Sequence, residues 1–215
     1  MVWLLALACA VSASLHLWVV VPRLPPPPVE PGDPVPDYRS LATPGAGACV
    51  ALVAAAAALL VGVRPWPELA PWVGYLGAGA ALVWVDLRTT YLPRLLNHVA
   101  GAQVAVGVAV SAMVDPSRAA GAALGAVAAL LLFHLWWRVS GSFGYGDVRL
   151  AGLVGAMGGW MGADGWATSF VLGTGVGALW GITHTLLRRR SDAPAHFAYG
   201  PALWLGPVLA SVWVA

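Results

Sequence analysis

Two aspartates occupy positions that exposure to water does not readily explain. The chain has nine acidic residues among 215, and seven of them lie in a Pro-rich loop or in short connections between apolar segments. Asp86 instead ends the apolar run GYLGAGAALVWVD, and Asp147 begins the run DVRLAGLVGAMGGWMG. An ionised carboxylate beside hydrocarbon is costly, so such residues are candidates for catalysis, proton transfer or ion binding.

The two carboxylates are predicted to lie at a similar depth. Seventeen residues separate Asp86 from Glu68 at the other end of its run, and sixteen separate Asp147 from Asp164. Antiparallel helices would therefore carry both carboxylates to one membrane boundary, given a rise of about 1.5 Å per residue. Two close carboxylates in a low-dielectric site do not both ionise cheaply. One then holds a proton while the other is charged, as in aspartic proteases.

The residues alone leave three interpretations open: a catalytic dyad, a proton relay or ion site of a transporter, and helix capping. Capping suits Asp147, because Asp is a favoured N-cap and its charge complements the helix dipole. It does not suit Asp86 at the C-terminal end of a helix, where a negative charge is unfavourable. Arg88 and Arg94 are candidate partners for Asp86.

The composition indicates a membrane protein. The chain is 60% hydrophobic and 9% charged, with a mean hydropathy of +0.78, whereas soluble domains carry about 25% charged residues. The net charge of +2 and the lack of a basic stripe argue against nucleic-acid binding. We predict an all-α polytopic membrane protein in which residues 1–215 form a single membrane-embedded domain. The His and Cys spacing predicts no metal site, and no cofactor is expected.

Apolar runs of about 17 or more residues predict eight transmembrane helices. The runs cover residues 2–21, 46–63, 69–86, 95–114, 119–137, 147–163, 166–187 and 197–215. The longest connection, residues 22–45, is Pro-rich and predicts an extended or disordered loop. Nine of the eleven arginines fall in connections after odd-numbered runs. The positive-inside rule therefore predicts that these connections and both aspartates are cytoplasmic, with both termini outside.

Aromatic and glycine residues predict where helix ends meet the membrane interface and where helices pack closely. Five tryptophans near the ends of runs are predicted to be interfacial anchors, namely Trp18, Trp66, Trp72, Trp136 and Trp137. Glycines four residues apart predict close helix packing, namely Gly121 with Gly125, Gly155 with Gly159, and Gly173 with Gly177 and Gly181.

Two segments that contain the aspartates resemble the type IV prepilin peptidase family. WVDLRTTYLPRLLN is similar to the family's segment in which an Asp at a cytoplasmic span end precedes a Pro by some seven residues, here Asp86 and Pro93. GYGDVRLAGLVGAMGGW resembles the family's Gly-x-Gly-Asp signature with its Gly-rich helix, here Gly144, Gly146 and Asp147.

A third segment, HFAYGPALWLG, is similar to the family's late Gly-Pro-x-Leu segment, here Gly200 and Pro201. The three matches occur in the family's order and cover most of residues 80–210. The resemblance implies an aspartic endopeptidase of the cytoplasmic membrane, which removes the leader of pilin-like, pseudopilin or Flp-type precursors at the cytoplasmic face. Those precursors and the lipid bilayer are the expected partners.

The resemblance also implies roles for single residues. Asp86 and Asp147 match the family's catalytic aspartates, and Gly144 and Gly146 would let an extended substrate backbone approach them. Arg88 and Arg149 would orient the substrate or balance the charge of the dyad. The positive-inside rule predicts arginines at these positions as well.

The chain departs from the family in three respects. Its Pro-rich loop takes the place of a large cytoplasmic domain with paired Cys-x-x-Cys motifs, so neither a structural zinc nor N-methyl transfer is expected. Arg94 follows Pro93 where the family has Asn, and Asn97 lies out of register. Arg149 stands where the family has Lys, which preserves the charge.

Two other functions fit parts of the pattern. A presenilin-like or signal-peptide-peptidase-like protease also pairs an Asp with Gly-x-Gly-Asp and carries Pro-Ala-Leu, which residues 201–203 spell. That group has a Tyr before its first Asp, whereas Val85 precedes Asp86. A small transporter would use the two aspartates as a proton or cation relay, and it would need polar residues in the middle of the membrane.

Overall fold

The fold is taken from a computed structural model of the chain, which describes residues 1–27, 35–62, 64–140, 144–188 and 198–213. Part of the predicted Pro-rich loop, residues 28–34, lies outside the described residues. So do Arg189 and Arg190 of the positive-inside count, and residues 197, 214 and 215 of the last predicted span.

The described residues are mostly helical. The α-helices are α1 (Val2–Leu15), α2 (Pro44–Val61), α3 (Trp66–Thr89), α4 (Arg94–Ala112), α5 (Pro116–Ser140), α6 (Tyr145–Trp160), α7 (Ala163–Arg188) and α8 (Gly200–Trp213). Helix α1 continues as a π-helical turn (His16–Val20) and a 3-10 turn (Val21–Arg23), and a further 3-10 turn covers Arg39–Leu41. The all-α prediction is confirmed for the described part of the chain.

Six described helical segments are long and apolar enough to cross a membrane: Val2–Arg23, Pro44–Val61, Trp66–Thr89, Arg94–Ala112, Pro116–Ser140 and Ala163–Leu187. This supports the prediction of a polytopic membrane protein. The sixth and eighth predicted spans correspond to α6 and α8, which have 16 and 14 residues. Both are shorter than the roughly 20 residues that span a bilayer core.

Local sequence signals explain where helices begin and end. The hydroxyl of Thr43 accepts a hydrogen bond from the Ala46 N–H at 3.1 Å, and Pro44 occupies the first turn of α2. Helix α2 ends before Gly62, whose φ of 81° suits glycine. At α5, the carboxylate of Asp115 accepts a hydrogen bond from the Ser117 N–H at 3.1 Å.

Helix α3 forms the centre of the protein and α6 packs on α5, α7 and α8, whereas α5 and α7 are mostly exposed. The predicted glycine packing is confirmed between α5 and α6, because a Cβ at Gly121 or Gly125 would collide with the backbone of Gly159 or Gly155. Such close backbone approach is what small residues permit in membrane helices.

An aromatic cluster joins α3 to α8. The Tyr75 hydroxyl donates a hydrogen bond to the Trp204 carbonyl at 2.7 Å, and Trp204 Nε1 donates one to the Tyr75 carbonyl at 3.2 Å. Trp72 packs edge-on against Tyr75 and is fully buried. The prediction that Trp72 is an interfacial anchor is therefore wrong, because α3 is surrounded by other helices at that position.

Candidate active site

Asp86 lies in the last turn of α3 and is buried, with 4% of its surface exposed. The helix ends just after it, because Thr90 adopts a left-handed conformation with φ of 58° and its N–H donates to the Asp86 carbonyl at 2.6 Å. The hydroxyl of Thr89, the last residue of α3, donates a hydrogen bond back to the Val85 carbonyl at 2.7 Å.

The Asp86 carboxylate is held by the start of α8. Its Oδ2 accepts a hydrogen bond from the Gly200 N–H at 2.9 Å, within the buried interior. A Cβ at position 200 would lie 2.6 Å from this oxygen, so only glycine allows the contact. Pro201 follows in the first helical turn, where the lack of an N–H has no cost.

Asp147 lies in the first turn of α6, which begins at Tyr145 with Gly144 as its N-cap. The alternative interpretation of Asp147 as the N-cap does not hold, because Gly144 is the N-cap, no side chain forms the cap and Asp147 is inside the first turn of the helix. Its N–H donates to the Gly144 carbonyl at 3.0 Å, and a Cβ on Gly144 would lie 3.5 Å from its Oδ2. The backbone at Gly144 therefore borders the carboxylate.

The second signature glycine, Gly146, fixes α6 against the connection between α3 and α4. A Cβ at position 146 would lie 2.7 Å from the Leu92 Cβ. This close packing brings the start of α6 beside the end of α3. The two helices that carry the aspartates therefore meet at these termini.

One cavity of about 590 Å³ is lined by both Asp86 and Asp147, and we call it the aspartate cavity. The other lining residues are Pro25, Pro26, Pro27, Tyr38, Thr90, Tyr91, Leu92, Pro93, Arg94, Leu95, Gly144, Tyr145, Gly146 and Arg149. The structure thus brings together the aspartates, the signature glycines, Pro93 and Arg149.

The two predicted arginines differ in position. Arg149 is half-buried, lines the aspartate cavity and lies with its Cζ 4.8 Å from the centre of the Tyr145 ring. Arg88 is exposed, does not line the cavity and lies 5.7 Å from the Trp84 ring centre. Among the described residues, neither Arg88 nor Arg94 forms an ion pair with Asp86. The structure therefore does not bring Arg88 to the site.

Sequence reasoning did not identify the Pro-rich loop as part of the site. Pro25, Pro26, Pro27 and Tyr38 line the aspartate cavity, and Tyr38 has 4% of its surface exposed. Burial, together with the charge of Tyr91, raises the pKa of Tyr38 to about 12. An aromatic residue within a polar, Pro-rich loop is the signal that could have indicated this packing.

No metal site accompanies the aspartates in the part of the chain that the structure describes, where no three His, Cys, Asp or Glu side chains converge. The site offers two carboxyl groups, one fixed by a backbone N–H, on the wall of an open cavity. This arrangement can bind a polar group or water between two acids and transfer protons to and from it.

Comparison with known proteins gives no match: no family model, no curated protein and no solved structure matches this chain.

Proposed function

We propose that this protein is a membrane aspartic endopeptidase that cleaves the leader from type IV pilin-like precursors at the cytoplasmic membrane face. The observation that carries the proposal is the aspartate cavity, which is lined by both Asp86 from α3 and Asp147 from α6. The three segments that resemble prepilin peptidases supply the substrate class. The eight spans, which rest on the lengths of the apolar runs, and the outward termini, which rest on the arginine distribution, belong to the same proposal.

In the proposed reaction, the ionised carboxylate takes a proton from a water molecule whose oxygen attacks the peptide carbonyl carbon. The carbonyl oxygen receives the proton held by the other carboxyl group, which gives a neutral tetrahedral intermediate. The carbon–nitrogen bond then breaks as the leaving amine takes up the proton that came from water, and one hydroxyl of the intermediate returns its proton to the carboxylate that had donated one, which restores the starting dyad. The Gly200 N–H orients the Asp86 carboxylate, and Gly144 leaves room for an extended peptide.

The direct test is co-expression of the chain with a type IV pilin-like precursor, followed by mass measurement of the precursor. The wild-type protein should shorten the precursor, and Asp86→Asn or Asp147→Asn should each stop the cleavage because a dyad needs both carboxyl groups. Asp164→Asn, which alters an exposed acid in the first turn of α7, is the matched control and should cleave normally.

Persistent cleavage by both single variants would disprove the dyad. If the wild-type protein cleaves no pilin-like, pseudopilin or Flp-type precursor, a proton or cation relay becomes the better interpretation of the two aspartates. Mass measurement of the mature amino terminus also detects any methyl group.

A further inference from the structure

A second cavity, of about 580 Å³, lies among α4, α5 and α6, and we call it the apolar groove. Small side chains dominate its lining, including Gly101 on α4, Ala126 on α5 and Gly152 on α6. Helix α5 packs closely on α6 and α4 on α3, whereas α4 and α5 touch much less. The groove therefore opens where two neighbouring helices diverge.

The apolar groove adjoins the aspartate cavity. Arg149, which follows Asp147 by two residues on α6, lines both the apolar groove and the aspartate cavity. On α4 the groove extends from Asn97 to Val108, which is roughly 16 Å at the usual helical rise. It therefore follows more than half of a bilayer core of about 30 Å, and it starts beside the two aspartates.

A buried polar group distinguishes this groove from a lipid-filled gap. Asn97 lines the groove with 4% of its surface exposed, and its Nδ2 has no hydrogen-bond partner among the described residues. An unpaired amide at such a position is costly. An acyl chain offers no acceptor, whereas a polypeptide offers backbone carbonyl groups. Carbonyl groups in an extended peptide segment near the scissile bond are free to accept this bond, because they have no intrahelical partner.

We propose that the apolar groove binds the apolar membrane-embedded segment of the substrate that adjoins the scissile bond, with Asn97 donating a hydrogen bond to its backbone. This inference rests on the proposed endopeptidase function. The small lining residues let a helix approach closely, and the shared Arg149 makes the groove continuous with the aspartate cavity. A substrate bound in this way presents the scissile bond to the dyad at a fixed depth.

The test fills the groove without disturbing the fold. A Cβ at Gly101 meets no atom within 4 Å, and the same holds for Gly175 on the exposed side of α7. Gly101→Leu and Gly175→Leu are therefore matched changes of a helix-interior glycine with open space around it, one in the groove and one outside it. Leucine also favours a helix more than glycine does, so neither change should unfold the protein.

The measurement compares two probes in nanodiscs. One is a full-length type IV pilin-like precursor, and the other is a soluble peptide that covers only its leader and cleavage site. We expect Gly101→Leu to lower the ratio of kcat/KM for the precursor to kcat/KM for the peptide by about tenfold, as for a side chain inserted into a packed contact. Gly101→Ala should lower the ratio less, and Gly175→Leu should keep the wild-type ratio.

The outcomes separate this inference from the function on which it rests. Wild-type protein that cleaves neither probe would overturn the endopeptidase function and the groove assignment with it. Normal cleavage by wild type with an unchanged ratio in Gly101→Leu would overturn the groove assignment alone and indicate a lipid chain as the occupant. A thermal melt of each variant identifies loss of fold. If Gly101→Leu does not fold, the ratio for Gly101→Ala is compared with the wild-type ratio instead.

Discussion

At the residue scale, the contact between Asp86 and Gly200 best explains how the candidate dyad is held. A buried carboxylate needs a hydrogen-bond donor, and here the donor is a backbone N–H at the start of a helix, 114 positions away in the chain. A side chain at position 200 would occupy the space of the carboxylate oxygen. Gly200 therefore has a physical role in orienting one acid of the candidate dyad.

Gly200→Ala is predicted to reduce cleavage of a pilin-like precursor while the protein still folds. The new methyl group would push the Asp86 carboxylate away from its position, and a displacement of this kind costs about 100-fold in rate. The measurement is kcat/KM for precursor cleavage by purified protein. Gly175→Ala is the control, because the Cβ there meets open space. Wild-type activity in Gly200→Ala would contradict the proposed role of this contact.

At the element scale, helix packing brings the two acids to one place. Glycines of α6 lie against the backbone of α5, and Gly146 lies against the connection that follows α3. The Tyr75 and Trp204 hydrogen bonds join α3 to α8. Each acid is therefore positioned by a helix that other helices hold over much of its length.

A pH-dependent prediction concerns the start of α5. Hydrogen bonds from the Ser117 hydroxyl and N–H, and from Arg118, lower the pKa of Asp115. Since the folded-state pKa is below the unfolded one, the carboxylate stabilises the fold above the unfolded pKa of about 3.9. This contribution is lost as the pH falls through the lowered pKa.

Asp115→Ala should therefore lower Tm at neutral pH, and the difference from wild type should shrink at acidic pH. Thermal unfolding in detergent across a pH series measures this difference. Asp164→Ala alters an exposed acid in the first turn of another long helix and serves as the control. A difference in Tm that stays constant with pH would contradict the hydrogen-bonded role of the Asp115 carboxylate.

At the scale of the whole molecule, inner helices are largely buried and outer helices are largely exposed. Helix α3 is largely buried, α6 and α8 are short and mostly interior, and α5 and α7 present apolar side chains outward. An interior helix surrounded by other helices does not need the length of a lipid-facing span. This layering places the aspartate cavity among the inner helices and the Pro-rich loop.

The proposed topology can be tested with a thiol reagent that does not cross membranes. In a Cys49→Ala background, which removes the exposed natural cysteine, Ser117→Cys should react in intact cells because the connection between α4 and α5 is predicted to be outside. Ser40→Cys, in the Pro-rich loop, should react only after the cells are permeabilised. Both serines are exposed. The reverse pattern would invert the topology and remove the dyad from the cytoplasmic face.

The sequence by itself determined the helical class, the membrane character and the two acids that lack a simple explanation in water. These properties depend on composition, on the lengths of apolar runs and on residues next to each other in the chain. Capping of α2 by Thr43 and Gly62 has the same local origin. The glycine spacing also predicted close helix packing, because four-residue spacing defines one face of a helix, but it did not identify the helices that pack together.

Only the tertiary structure decided which distant residues meet. It brought Gly200 to Asp86, placed Tyr38 on the wall of the aspartate cavity, left Arg88 outside it and buried Trp72. Helical periodicity assigns a residue to a face of its own helix but does not identify the helix that this face contacts. That choice depends on how all the helices pack together, which no local stretch of sequence encodes.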